Sequence, residues 1–150
     1  MKQTDKIFNA SEVKLVYKNK VKAADRFKIR GPEDAAEIFF NVWDFEIIDH
    51  IEEVKILLLN RAHHVLGIVN LSSGGNTGTV IDVKVALQYA LKANATAIII
   101  AHNHPSGNLN PSEADINITN KLRSALQTCD INLLDHLILT SDRQYNSIDN

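Results

Sequence analysis

The sequence predicts an α/β domain built on one mixed sheet flanked by helices. Three observations carry this. Strand-like and helix-like segments alternate along the chain; two strand segments are too continuously apolar to be half-exposed; and 150 residues suit a single core. A content of 45% hydrophobic and 23% charged residues is that of an ordinary globular domain.

Residues 1–30 stand apart as a basic N-terminal extension. Lys14, Lys18, Lys20, Lys22, Arg26, Lys28 and Arg30 crowd it. Apolar residues alternate at Val13, Leu15 and Tyr17 and again at Phe27 and Ile29, a period of two that predicts a charged hairpin or two edge strands. The lysines there are either a solvated edge that discourages strand-to-strand association or a contact surface for an acidic partner or nucleic acid.

Residues 31–150 form the folded domain. Gly31-Pro32-Glu33-Asp34 opens a helix running to about Val42, with proline in the first turn and acids at the positive end of the dipole. Val54–Leu59 is a strand buried on both faces. Asn60–His63 is a turn, and Val65–Leu71 returns as a second strand. Ser72–Asn76 is a loop. Asp82 caps a helix that carries Val85, Ala86, Tyr89 and Ala90 on one face. Thr96–Ala101, β-branched and uniformly apolar, is the central strand. Ser112 opens a helix to about Thr128 with the stripe Ile118, Leu122, Ala125 and Leu126. Ile131–Leu139 and Gln144–Ile148 are the last two strands.

Composition excludes several classes. A single cysteine, Cys129, rules out a disulfide framework and a cysteine-rich zinc site, and it reads as a packed small apolar residue. A net charge of −2 does not point to nucleic acid or an anionic membrane. The N-terminus has no apolar run fit for a signal peptide. The apolar stretch Ala97–Ala101 is far short of the roughly 20 residues that span a bilayer. A cytoplasmic location, away from membranes, is expected.

The chemistry lies between Ala101 and Asp115. His102 and His104 stand two apart as a buried strand ends, so both side chains point the same way and can reach one ion. The mouth of a central strand is where α/β sites usually lie. A catalytic zinc takes three protein ligands and leaves a fourth position open. Asp115, in the first turn of the next helix, is the candidate third ligand. Ser112 and Asp115 also fit a capping box, which needs no metal; the two readings are compatible, because a fixed helix start positions the aspartate.

The spacing His102, one residue, His104, seven residues, Ser112, two residues, Asp115 resembles the JAMM signature of MPN-type metalloproteases. The fuller run His102-Asn103-His104-Pro105-Ser106-Gly107 with Pro111–Asp115 is similar to the RadC family, bacterial members of that superfamily. Glu52–Arg61, Gly78-Thr79-Val80, Ala93–Ala95 and Leu134-Asp135-His136 share the likeness, which covers roughly residues 32–148. The N-terminal part resembles RadC-like proteins of mobile elements. Longer RadC proteins carry a helix-hairpin-helix region that this sequence does not show, so the resemblance is to a short form.

The resemblance implies an MPN/JAB, cytidine-deaminase-like architecture and a zinc metallopeptidase acting on peptide or isopeptide bonds. It implies a general-base glutamate at Glu52, with Glu53 the adjacent alternative; neighbours in a strand face opposite ways, so one of them faces the metal. It gives Ser112 the role of donating its hydroxyl to the developing oxyanion, a contribution of about 3 kcal/mol. A protein or peptide substrate is the expected partner, bound by strand addition; the Gly-rich stretch 73–79 could guide its tail.

Asp135-His136 reads either as a hydrogen-bonded interior pair or as support for a ligand histidine. His63 and His64 read as surface residues of a turn, and His50 has no partner. Two other enzyme classes fall. A zinc nucleobase deaminase needs His-x-Glu and Pro-Cys-x-x-Cys, and here His104 follows His102-Asn103 and no second cysteine exists. The letters His-Asn-His do not make an HNH nuclease, whose residues are dispersed over a ββα unit. The remaining rival is a DNA-repair or DNA-associated role with little or no peptidase activity, resting on the basic cluster at 14–30.

Overall fold

The computed structural model describes residues 9–74 and 81–148. Most of the Gly-rich stretch 73–79, and Gly78-Thr79-Val80 with it, lies outside the described residues.

The described residues form one five-stranded sheet with a helix on one face and two on the other. The strands are β1 (Glu53–Leu59), β2 (Val65–Ser73), β3 (Ala97–Asn103), β4 (Asn132–Leu139) and β5 (Tyr145–Ser147), in the order β2-β1-β3-β4-β5. Only the β3–β4 pair is parallel, and the helix between them supplies the crossover that parallel strands need. The helices are α1 (Pro32–Val42), α2 (Val83–Lys92) and α3 (Glu113–Thr128). The sequence therefore anticipates the class and the order of elements.

Central position explains the apolar runs. β1 and β3 are flanked on both sides by strands, and β3 is buried along its whole length. Alternation along β1 divides the core. Val54, Ile56 and Leu58 pack with Ala86 and Ala90 of α2 and Leu122 and Leu126 of α3. Leu57 and Leu59 pack with Ala35, Ala36, Phe39 and Phe40 of α1. Asn60 shapes the β1–β2 turn, because its Oδ1 accepts from the amides of Ala62 and His64. His63 there takes φ 64°, and Asn94 and Asp130, just past the ends of α2 and α3, are also left-handed.

β4 carries a feature the site depends on. Ile98 pairs with Leu133, but Ile99 pairs with Asp135, so Leu134 is an extra residue, a β-bulge in a parallel pair. The extra residue reverses the alternation beyond it. His136 then lies beside Ile100, on the α3 side of the sheet; without the bulge it would face α1.

Four local expectations are corrected. The N-terminal hairpin does not form: residues 9–22 make no strand, Ala23–Asp25 is a short 3-10 turn, and among the described residues of this segment the one ladder contact is a bridge from Lys28 to His64. A lone alternating stretch has no partner strand to pair with, and Val13 and Leu15 stay 93% and 77% exposed. Cys129 is exposed rather than packed, since it caps α3 at the surface. Tyr89 is exposed, as α2 buries only Ala86 and Ala90 fully. The central strand continues past Ala101 through His102 to Asn103. Among the described residues no helix is long and apolar enough to cross a membrane.

Candidate metal centre

The end of β3 sends successive side chains to opposite faces. Asn103 turns toward the α1 face, where its amide donates to the carbonyls of Ile48 and Ile51 (2.7 and 2.9 Å) and its Oδ1 accepts from the Glu53 amide (2.7 Å). That residue thus fixes the chain entering β1. His102, buried, turns toward α3. His104 follows the strand, tied by its amide to the Leu139 carbonyl (2.9 Å). Its Nδ1 lies 2.5 Å from the carbonyl of Asn108. Gly107 makes that approach by taking φ 81°, which a side chain would disfavour. A carbonyl only accepts, so the His104 proton is on Nδ1 and its Nε2 lone pair faces inward.

Asp115 is the third residue of α3. Ser112 Oγ accepts from the Asp115 amide (3.0 Å), and the Ser112 amide donates to Asp115 Oδ2 (2.8 Å), a reciprocal capping box. The same Oδ2 stands 3.4 Å from His102 Nε2 and 3.3 Å from His104 Nε2. The two Nε2 atoms are 2.9 Å apart. Glu52, just before β1, places Oε1 4.0 Å from His102 Nε2.

Glu52, His102, His104 and Asp115 therefore offer one ligand atom each within 4.8 Å of one another. Imidazole lone pairs and carboxylate oxygens are all acceptors, and acceptors at such distances repel unless a cation lies between them. The donor set fits a divalent ion. Tetrahedral ligands held at about 2.0–2.1 Å from zinc stand roughly 3.3 Å from each other, and the three pairs here span 2.9–3.4 Å.

Proton equilibria show the same attraction for positive charge. The Asp115 carboxylate beside it raises the His104 imidazole above its ordinary value, against burial. Burial pushes the Asp115 carboxyl up, but the adjacent His102 and His104 imidazoles outweigh it and hold the group well below the usual carboxylate range. Glu52 is raised by burial, a pull that the neighbouring imidazoles oppose and Asp115 assists. Beside these groups is a cavity of about 190 Å³ whose other walls are apolar: Val54, Ile81, Ala114 and Ile118.

Of the residues read from sequence, the fold brings together Glu52, His102, His104 and Asp115. Ser112 is adjacent but outside the cluster, its oxygen engaged in the cap; as an acceptor there, the hydroxyl keeps its proton to give. Glu53 belongs to the row of Lys55, Leu57 and Leu59 on the other face. His50, His63 and His64 take no part in the cluster.

The sequence left His136 open between two roles, and the fold places it against the cluster: its Nε2 is 2.7 Å from His102 Nδ1. Asp135 instead accepts from the His136 amide and from Ser147 Oγ of β5. Thr119, whose Oγ1 is 2.6 Å from His136 Nδ1, was not legible as a site residue. Its only signal is a position four after Asp115 on the same helix face. Burial lowers His136 to about 3, so the ring is neutral.

The model of the RadC-like JAB domain family matches residues 29–150. A UPF0758 protein of Flavobacterium johnsoniae is 44% identical over 98 residues, 65% of this chain and 43% of the relative. A UPF0758 protein of Alkaliphilus oremlandii is 36% identical over 115 residues, 77% and 48% of the respective lengths. One from Clostridium kluyveri is 34% identical over 134 residues, 89% of this chain and 57% of the relative. The chain spans about half the length of the curated relatives it matches.

Proposed function

We propose that this chain, which belongs to the RadC-like JAB domain family, is a zinc-dependent hydrolase of peptide or isopeptide bonds. The carrying observation is the convergence of His102 Nε2, His104 Nε2 and Asp115 Oδ2, with Glu52 at the rim and a cavity alongside. Two nitrogens and one oxygen with no sulfur suit a catalytic rather than a closed structural zinc site.

His102, His104 and Asp115 would hold the ion. When bound, it supplies Lewis acidity, polarising a carbonyl and acidifying water toward a pKa of about 7. Glu52 Oε1 takes the proton of the attacking water as the new C–O bond forms, and returns it to the leaving amine as the peptide C–N bond breaks. Burial, by lifting the Glu52 carboxyl toward working pH, favours both transfers. Ser112 Oγ donates a hydrogen bond to the oxyanion, keeping its proton, while the cap holds the hydroxyl in place. The apolar walls of the cavity, Val54, Ile81, Ala114 and Ile118, would flank the bound peptide beside the reacting bond.

The test is incubation of the zinc-loaded chain with an unbiased peptide library, reading new termini by mass spectrometry. Cleavage by the wild type, and none by Glu52→Gln at equal zinc content, is the expected result. A zinc-replete wild type that cuts nothing, in linear or isopeptide-linked form, would overturn the peptidase assignment.

One observation favours a second reading. Lys14, Lys18, Lys20 and Lys22 lie on an exposed arm that forms no edge strand, so the aggregation-blocking explanation of their charge fails. A polyanion such as nucleic acid is the alternative partner. It requires binding to duplex DNA that weakens steeply with salt and disappears when Lys18, Lys20 and Lys22 are neutralised.

A further inference from the structure

The geometry points to His136 and Thr119 as positioning residues that decide which nitrogen of His102 is free to bind the cation. The inference rests on the metal reading of the cluster and goes beyond it, because neither residue reaches the ion.

The chain of hydrogen bonds ends on a backbone carbonyl. Thr119 Oγ1 donates to the carbonyl of Asp115 at 2.6 Å. A hydroxyl has one proton, and a carbonyl can only accept, so toward His136 Nδ1, also 2.6 Å away, Thr119 must be the acceptor. His136 then carries its proton on Nδ1. In a neutral ring that leaves Nε2 as a lone pair, and this lone pair faces His102 Nδ1 at 2.7 Å. His102 is thereby held with its proton on Nδ1 and with Nε2 bare toward His104, Asp115 and Glu52.

The reversed chain would turn the Thr119 proton onto His136 and give up the bond to Asp115. It would also place an N–H on His102 Nε2, 2.9 Å from His104 Nε2, where no ion could bind. The two ligand histidines thus reach one tautomer by different routes. His104 meets a carbonyl directly, at Asn108. His102 meets one through two side chains. The route is closed on itself, since the carbonyl at its far end belongs to Asp115, whose carboxylate faces the same point.

The bulge at Leu134 bears on this. A bulge breaks the ladder locally, and its effect here is to bring His136 onto the face where His102 lies. Partners of this kind commonly set metal affinity by orienting the ligand and fixing its proton.

The experiment has two arms. In the metal-free wild type labelled with ¹⁵N, long-range ¹H–¹⁵N correlation spectra should show His102 and His136 both protonated on Nδ1. A spectrum with His102 protonated on Nε2 would overturn the inference. In the second arm, Zn²⁺ affinity is measured by competition with a chromophoric chelator. Thr119→Val, close to isosteric, should weaken binding roughly 10–100-fold, while Thr119→Ser should bind within about threefold of the wild type. His136→Gln should weaken it by at least as much as Thr119→Val, and wild-type affinity in Thr119→Val or His136→Gln would overturn the proposal. If the wild type itself binds no Zn²⁺, the metal reading fails, and the spectra of the metal-free protein still decide the hydrogen-bond chain.

Discussion

The two faces of the sheet carry buried polar side chains at the same end, and Asn103 on one differs from the cluster on the other in how their polar atoms are met. On the α1 face, Asn103 matches each donor to an acceptor, and Lys55 Nζ bonds Asn70 Oδ1 at 2.7 Å while lying over the Trp43 ring. On the α3 face, His102, His104, Asp115 and Glu52 gather acceptors with no matching donors between them. Polar groups that satisfy one another hold structure. Polar groups that agree only in lacking a positive charge leave room for a ligand.

The largest effects should separate the faces. His104→Ala is expected to reduce bound zinc from about one ion per chain to near none, in plasma emission analysis, while the fold survives. Asn103→Ala should do the reverse. It strands the Glu53 amide and the carbonyls of Ile48 and Ile51, so a loss of about 3 kcal/mol in urea unfolding is expected, with zinc per folded chain unchanged. Zinc loss in Asn103→Ala at full stability would erase the contrast.

Neighbouring glutamates sharpen the comparison at single-residue scale. Glu52→Gln should keep zinc and lose about 10²–10⁴-fold in peptide cleavage. Glu53→Gln, in the row with Lys55 on the other side of the strand, should leave cleavage per folded chain close to that of the wild type, because its side chain faces away from the cluster. Equal losses would mean that strand alternation does not assign the base.

A smaller effect concerns acid. His136 is neutral when folded, with a pKa lowered to about 3, and regains an ordinary value near 6.5 when unfolded. Between those values the unfolded state binds a proton that the folded state does not. The metal-free protein therefore loses stability as pH falls from about 6.5 toward 3, by up to about 1.4 kcal/mol per pH unit. Above 6.5 this contribution vanishes. Unfolding curves at successive pH values should show a flatter dependence for His136→Gln; parallel slopes would assign the acid sensitivity to other groups.

Much of this was legible beforehand. The apolar runs of β1 and β3 gave the class, and the spacing from His102 to Asp115 marked the residues that the fold brings together. What stayed hidden depends on contacts remote in sequence. No local pattern marks Leu134 as an inserted residue, so the direction of His136 could not be read. Thr119 is an ordinary helix threonine until β4 is placed beside it. The N-terminal alternation misled for the opposite reason: Val13, Leu15 and Tyr17 carry the period of a strand, but pairing needs a neighbour, and none aligns.

The reciprocal bonds at the start of α3 have a further consequence. One oxygen of Asp115 anchors the first turn of the helix and also looks into the cluster, so helix nucleation and ion occupancy draw on a single atom. Filling the site would stiffen that turn, and emptying it would let the turn fray. Solvent exchange of the amides from Glu113 to Ile116 should therefore slow when zinc is added, making the helix start a built-in gauge of occupancy that reads the ion without any substrate.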